Sequence, residues 1–217
     1  IHSRTKEAIA AGMKYLGYSI FGAGFGLFGL FFLNRFAGGN LIFQPGGVLN
    51  PSLVEGHETL VLVVTLIMII GFGAKAGMIP LQAWLPTAHP VAPAPASAVL
   101  SGIITKAGVL AIIRVIFYQV GTDMLRGTWV QYMLIILALT TVFVGSMLAF
   151  KEKLLKKRLA YSSVSQVSYV LFGLFLMTPA SVEGALLQVV FHAIAKNILF
   201  LCAGAIIYKT HKTYVYE

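Results

Sequence analysis

Six stretches of this 217-residue sequence stay apolar for roughly the length of a bilayer crossing. They run approximately 8–33, 58–85, 96–119, 128–150, 161–178 and 182–208. A helix needs about 20 residues to cross the hydrocarbon core. Inside that core no water pairs with free backbone groups, so each stretch must close its own hydrogen bonds as an α-helix. The expected fold is therefore all-α, a polytopic membrane bundle with about six transmembrane helices. Composition excludes the alternative: 58% of the residues are hydrophobic and 11% charged, against about a quarter charged in a soluble domain. No core of a chain this size could hide so much apolar surface from water. No connecting segment holds a soluble domain, so residues 1–217 read as a single transmembrane domain.

The net charge of +9 invites a nucleic-acid reading, but the basic residues gather at the edges of apolar runs with no aromatic-basic groove between them. They instead set orientation. With the start of the chain inside, Arg4, Lys6, Lys151, Lys153, Lys156, Lys157, Arg158, Lys209 and Lys212 fall on the inner side, and only Arg35 and Arg126 fall outside. By the positive-inside rule the 151–158 loop and both chain ends face the cytoplasm, of a bacterial or archaeal cytoplasmic membrane or an organellar inner membrane. Cys202 stands alone in an apolar run, which excludes a disulfide framework and a cysteine metal site. The sequence begins at Ile1 and stops at Glu217 just beyond an apolar run, as expected of a fragment of a longer polypeptide.

Six ionisable residues remain inside the apolar runs: Lys75, Lys106, Arg114, Glu183, His192 and Lys196. A lysine at a helix centre costs about 3 kcal/mol on insertion scales, so such groups face a bundle interior or a wet cavity and mark functional sites. Lys106 sits midway along the third run among small residues, beyond snorkelling reach of either end; stripped of water there, it can accept and release a proton near neutral pH. Lys75 lies where Gly73, Gly77, Pro80 and Pro86 interrupt the second run. Pro80 cannot donate to a helical ladder and would crowd the carbonyl of Ala76, so this helix is expected to be discontinuous, the device by which transporters place free backbone groups beside a titratable side chain. His192 and Lys196, four residues apart, share one helical face and look like relay steps. Glu183 reads as a first-turn acid on the helix dipole, and Arg114 as a snorkelling or paired group. The hydroxyls of Tyr161-Ser-Ser-Val-Ser165-Gln-Val-Ser168-Tyr169 either hold water or join helices. No metal-ligand cluster, nucleotide loop or nucleophile with a base is present, so no metal and no cofactor is expected.

The segment Gly73-Ala-Lys75-Ala-Gly-Met-Ile-Pro80-Leu-Gln-Ala-Trp84-Leu-Pro86-Thr-Ala-His89-Pro90-Val-Ala-Pro93-Ala-Pro95-Ala-Ser97, continuing to Thr105-Lys106-Ala-Gly108, resembles the signature of the antiporter-like proton-translocating membrane subunits. These comprise the pump subunits of respiratory complex I, the membrane subunits of energy-converting hydrogenases and the large subunits of Mrp cation/proton antiporters. Lys157-Arg158-Leu-Ala-Tyr161-Ser162-Ser163 and His192-Ala-Ile-Ala-Lys196-Asn agree in order, as does Lys14-Tyr15-Leu before them. The resemblance implies a fold of about fourteen helices in two inverted repeats, each with a discontinuous helix. This chain would cover about the sixth to eleventh. It also implies that Lys75 pairs with a glutamate upstream of Ile1, that Lys106 is the central step of a path along the midplane, and that His192 and Lys196 link its two halves. The loop from Pro86 to Pro93 looks closer to hydrogenase-type and middle complex I pumps than to Mrp proteins. The implied function is proton or cation translocation in a redox-driven complex, with membrane and redox subunits as partners, the lipid bilayer as surroundings and every cofactor in the partners. A secondary sodium/proton antiporter and a structural subunit with static ion pairs are the alternatives.

Overall fold

The computed structural model describes residues 5–216; Arg4, one of the inner-side charges, lies outside them, as do Ile1 and Glu217. The elements run α1 (Lys6–Phe36), α2 (Pro51–Val54), α3 (Glu58–Ala76), α4 (Trp84–Val91), α5 (Ala94–Val99), α6 (Thr105–Ile113), α7 (Thr122–Leu125), α8 (Trp129–Lys151), α9 (Leu155–Leu176) and α10 (Pro179–Thr210). Six spans are long and apolar enough to cross a bilayer: α1, α3, the continuous stretch Ala94–Val120, α8, α9 and α10. The expected bundle of six is observed. Among the described residues the regular elements are all helical.

The helices meet through small residues, as they must where lipid is as apolar as a leucine. Gly22, Gly26 and Gly29 of α1 lie against Gly71, Phe72 and Met68 of α3. A Cβ at Gly22 would stand 2.6 Å from the Gly71 carbonyl oxygen. α9 is the hub, packing on α8, α10, α4 and α6. Its buried Val164, Val167, Val170, Leu171, Leu174 and Phe175 fill the centre. One face of α10 is left uncovered, with Leu187, Val190, Phe191, Ile194 and Ile198 all more than half exposed.

Three expectations about element ends are corrected. The discontinuity follows from Gly77, which takes a left-handed conformation (φ 87°) and caps α3 three residues before Pro80, a backbone state that costs a glycine nothing. Pro86 breaks no helix; it occupies the third position of α4, where a missing N–H leaves no helical bond unmade. The basic cluster is not all loop. α9 starts at Leu155 and carries Lys156, Lys157 and Arg158 in its first turn, so the connection is Glu152–Leu154. Cations are disfavoured at a helix start, and here two are offset locally: Lys156 Nζ donates to the Ala92 carbonyl at 2.9 Å and Lys157 pairs with Glu152 at 2.7 Å. Glu183 is likewise the fifth residue of α10, beyond the first turn, and exposed. That helix starts instead on a capping box between Thr178 and Ser181.

The span Ala94–Val120 contains two π-helical turns, Leu100–Ile104 and Arg114–Val120. The second presents its carbonyls to the loop after α1, where Gln44, Gly46 and Val48 donate backbone N–H groups to Tyr118, Phe117 and Gln119. At the other end of the bundle the tail pairs with the α8–α9 connection: Leu155 N–H donates to Thr213 and Val215 N–H to Lys153. The basic residues of both segments therefore share one end, hereafter the basic end.

Glu152 lies between α8 and α9. Burial pushes its carboxyl up, but the Lys157 ammonium and the N–H groups of Leu154 and Lys153 together outweigh this and hold it below the usual carboxylate range. A depressed folded-state value stabilises above the unfolded value, about 4.3 for Glu, and the contribution is lost as pH falls through the lowered folded value. Glu152→Gln should therefore lower the thermal midpoint in detergent at about pH 7 and lower it less at about pH 3. An equal gap at both pH values would refute this.

Candidate functional site

The buried polar groups concentrate where the broken helix, the third span, α9 and α10 converge. Lys106 is the second residue of α6, which follows directly on the π-helical turn Leu100–Ile104. A π turn carries one extra residue and disturbs the regular ladder. Here the Ser101 carbonyl accepts from Lys106 Nζ at 2.5 Å and from Thr105 Oγ1 at 3.0 Å. Lys106 Nζ also lies 2.7 Å from His192 Nδ1 on α10. With Lys106 as donor, the imidazole carries its own proton on Nε2, which is buried with no protein partner. Gly102 makes the approach possible: Asn197 of α10 lies where a Cβ would stand.

One turn further on, Lys196 is 3% exposed. Its Nζ donates to Ser162 Oγ at 3.0 Å and to the Leu159 carbonyl at 3.2 Å, both on α9. Ser162 and Leu159 also line a cavity of about 530 Å³ between α8 and α9, bounded by Ser146, Ser165, Gln166 and Arg158. That is ample room for water, and Ser162 stands between this open pocket and the Lys196 ammonium, with Leu155, Arg158 and Val215 on the pocket's side toward the basic end. Lys106, His192 and Lys196 act on one another electrostatically, and none has a carboxylate partner among the described residues.

Lys75 lies in the last turn of α3, apart from this trio. Its Nζ donates to Tyr15 Oη at 2.5 Å and lies 4.5 Å from the centre of that ring and 5.9 Å from the ring of Trp84. Aromatic faces attract a cation, and Trp84 is itself fixed by its Nε1–H donating to the Ala74 carbonyl at 2.7 Å. Within the break, Thr141 Oγ1 accepts from the Ile79 N–H at 3.1 Å. Gly73, inside α3, gives Met78 of the break room to fold back, since a Cβ there would meet its Cε at 2.7 Å. Arg114 is exposed and lies over the Phe43 ring at 5.1 Å, with no carboxylate partner among the described residues.

Thus the sequence-expected Lys106, His192 and Lys196 come together and Lys75 stands one helix away. Tyr15, Ser101, Ser162 and His89 were not among the expected site residues. The run from Tyr161 to Tyr169 hinted at Ser162, and its roles divide: Ser163 joins Ser101 at 2.6 Å and Ser165 joins Ser146 at 2.8 Å as helix contacts, while Ser162 holds the ammonium. His89 stood in plain view in the motif, but nothing in its spacing separates it from a packed core histidine.

Residues 1–216 match the family described as NADH:quinone oxidoreductase/Mrp antiporter, TM. Hydrogenase-4 component B of Escherichia coli is 34% identical over 97% of this chain and 32% of its own length. NADH-quinone oxidoreductase subunit N of Desulforudis audaxviator is 31% identical over 94% of this chain and 40% of its own. Among solved structures, the archaeal membrane-bound sulfane sulfur reductase superimposes with a TM-score of 0.82, at 27% identity over 99% of this chain and 43% of the other. The Mrp complex of Dietzia sp. gives 0.78, at 25% identity over 93% and 36%. The sequence thus spans about a third to two fifths of the length of the relatives it matches. An all-helical bundle with a broken third-to-second span junction and a family match across its whole length has one reading: the chain belongs to the NADH:quinone oxidoreductase/Mrp antiporter family of membrane proteins.

Proposed function

We propose that the chain translocates protons, or another cation, as part of an antiporter-like subunit of a redox-driven membrane complex, with Lys106, His192 and Lys196 as the relay. The observation that carries this is the 2.7 Å approach of Lys106 Nζ to His192 Nδ1, one helical turn from a buried Lys196. An amine and an imidazole at hydrogen-bonding distance can exchange a proton directly. All three groups are cationic when protonated and none has a carboxylate beside it among the described residues, so a proton reaching one changes the energy of the next.

Lys75 would be the control point, because its aromatic seat spans the helix break and α1: any movement of α4 through Trp84 alters the cation's surroundings. The kinship with hydrogenase and NADH-quinone oxidoreductase subunits favours a redox drive, with electron-carrying groups in partner subunits. The likeness to the Mrp complex supports a second reading, donor-independent exchange.

The test uses the full-length subunit in its complex, reconstituted in proteoliposomes with a pH-sensitive dye. Donor-driven proton uptake is expected in the wild type, reduced by at least about tenfold in His192→Phe with donor oxidation continuing. Exchange that proceeds without donor would favour the Mrp-like reading, and an unchanged proton-to-electron ratio in His192→Phe would refute the relay.

A further inference from the structure

Ser163 of α9 and Ser101 of the third span are both fully buried, and their hydroxyl oxygens lie 2.6 Å apart. Among the described residues this is the one side-chain hydrogen bond between the third span and α9. Each end of it leads to a lysine. On one side, the Ser101 carbonyl accepts from Lys106 Nζ at 2.5 Å and from Thr105 Oγ1 at 3.0 Å. On the other, the Ser163 hydroxyl lies 3.0 Å from the Leu159 carbonyl, which also accepts from Lys196 Nζ at 3.2 Å. A carbonyl has two lone pairs, so Leu159 can hold both donors.

The protons give this chain of bonds a direction, because each hydroxyl has only one to donate. If Ser163 donates to Leu159, Ser101 donates to Ser163 and both protons are placed. If Ser163 donates to Ser101, the Ser101 proton has no acceptor among the described residues, and a buried donor left unpaired is disfavoured. The bonds therefore run from Ser101 to Ser163 to the carbonyl that Lys196 shares. Ser101 needs this hold, since it falls inside the π-helical turn Leu100–Ile104. A π turn interrupts the regular ladder, so a contact from α9 helps set where the Ser101 carbonyl points.

We propose that Ser163 is a positioning residue for translocation. Through Ser101 it aims the carbonyl that seats Lys106, and at Leu159 it shares the carbonyl that seats Lys196, so that a shift of one ammonium is felt at the other. The two hydroxyls orient the lysines and carry no proton themselves. The inference rests on the translocation reading above.

The experiment compares Ser163→Ala, the double variant Ser101→Ala with Ser163→Ala, and Lys106→Met, each in the full-length subunit within its reconstituted complex. Ser163→Ala strands the Ser101 hydroxyl and should lower the thermal midpoint. The double variant removes both hydroxyls, a change that is nearly neutral for stability, so its midpoint should return close to the wild-type value. Donor-driven uptake is expected to stay down by at least about tenfold in both, as misplaced groups cost rate even where the fold is intact. The pH profile of uptake is the second readout. Loss of intact complex scales the whole profile, whereas a changed seat for Lys106, faced by His192 and Lys196 of α10 with Lys75 on the adjoining α3, displaces it along the pH axis. Recovery of both midpoint and uptake in the double variant would reduce the pair to a helix contact and overturn the proposal, as would a profile that is only scaled. If Ser163→Ala does not assemble, the double variant decides; its own failure to assemble would make the pair a requirement of the fold and likewise overturn the positioning role. Wild-type uptake in Lys106→Met would overturn the translocation reading instead.

Discussion

Lys106→Met should abolish donor-driven proton uptake, by about a hundredfold or more, while the complex assembles at its normal level. The two halves of this expectation have separate causes. Methionine keeps the unbranched length of the lysine stem, so the packing of α6 is retained. Lys106 also has no carboxylate partner among the described residues, so its removal leaves no buried acid unpaired, the circumstance that makes breaking an internal ion pair costly. What the substitution does remove is the one group that touches His192 Nδ1 and the Ser101 carbonyl together. A path through His192 then ends at an imidazole with nothing to exchange with. Lys106→Arg separates charge from proton exchange: a guanidinium stays protonated at any working pH, so it should keep the cation and still fail to conduct. Uptake at the wild-type rate in either variant would remove Lys106 from the path.

How much of this could be read from the residues alone depends on the length scale of the cause. Six helices were legible because the bilayer demands a fixed apolar length, and the trio was legible because an ionisable residue in such a run has to be accommodated somewhere. The spacing of His192 and Lys196 placed them on one face correctly. The break was legible too, but its cause was not. Gly73, Gly77, Pro80 and Pro86 all looked like interruptions; of these, Gly77 ends the helix, Gly73 lies inside it and Pro86 helps start the next. Both effects depend on backbone conformation, which residue type only permits. The start of α9 was missed because its first turn carries three basic residues that read as loop; the partners that make it tolerable, the Ala92 carbonyl and Glu152, come from tertiary structure and the neighbouring connection. The π-helical turn that leaves Ser101 open to Lys106 has no sequence signature at all. Nor could the burial of His89 be inferred, since an imidazole with two orphaned nitrogens and one with two partners look identical in a sequence.

The tightest constraint on the site is a residue without a side chain. Gly108 of α6 faces the end of α3 so closely that a Cβ would stand 2.7 Å from both the Ala76 nitrogen and the Phe72 carbonyl oxygen, and 3.1 Å from Lys75 Cβ. The first two are backbone atoms of α3, which cannot rotate away. Gly108→Ala must therefore push α6 and α3 apart where Lys75 meets the aromatic pair and, two residues earlier in α6, Lys106 meets His192. Overpacking of this kind costs about 1–3 kcal/mol, and here it should approach the upper figure. The expected result is a clearly lowered thermal midpoint in detergent together with reduced proton uptake in whatever complex assembles. Gly17→Ala and Gly24→Ala in α1 supply the contrast, since a Cβ at either meets nothing within 4 Å; both should be neutral or slightly stabilising, as alanine is the better helix former by about 1 kcal/mol. A midpoint in Gly108→Ala equal to that of these controls would mean that α3 and α6 are not held at the distance the site requires, and that Lys75 and the trio are positioned independently.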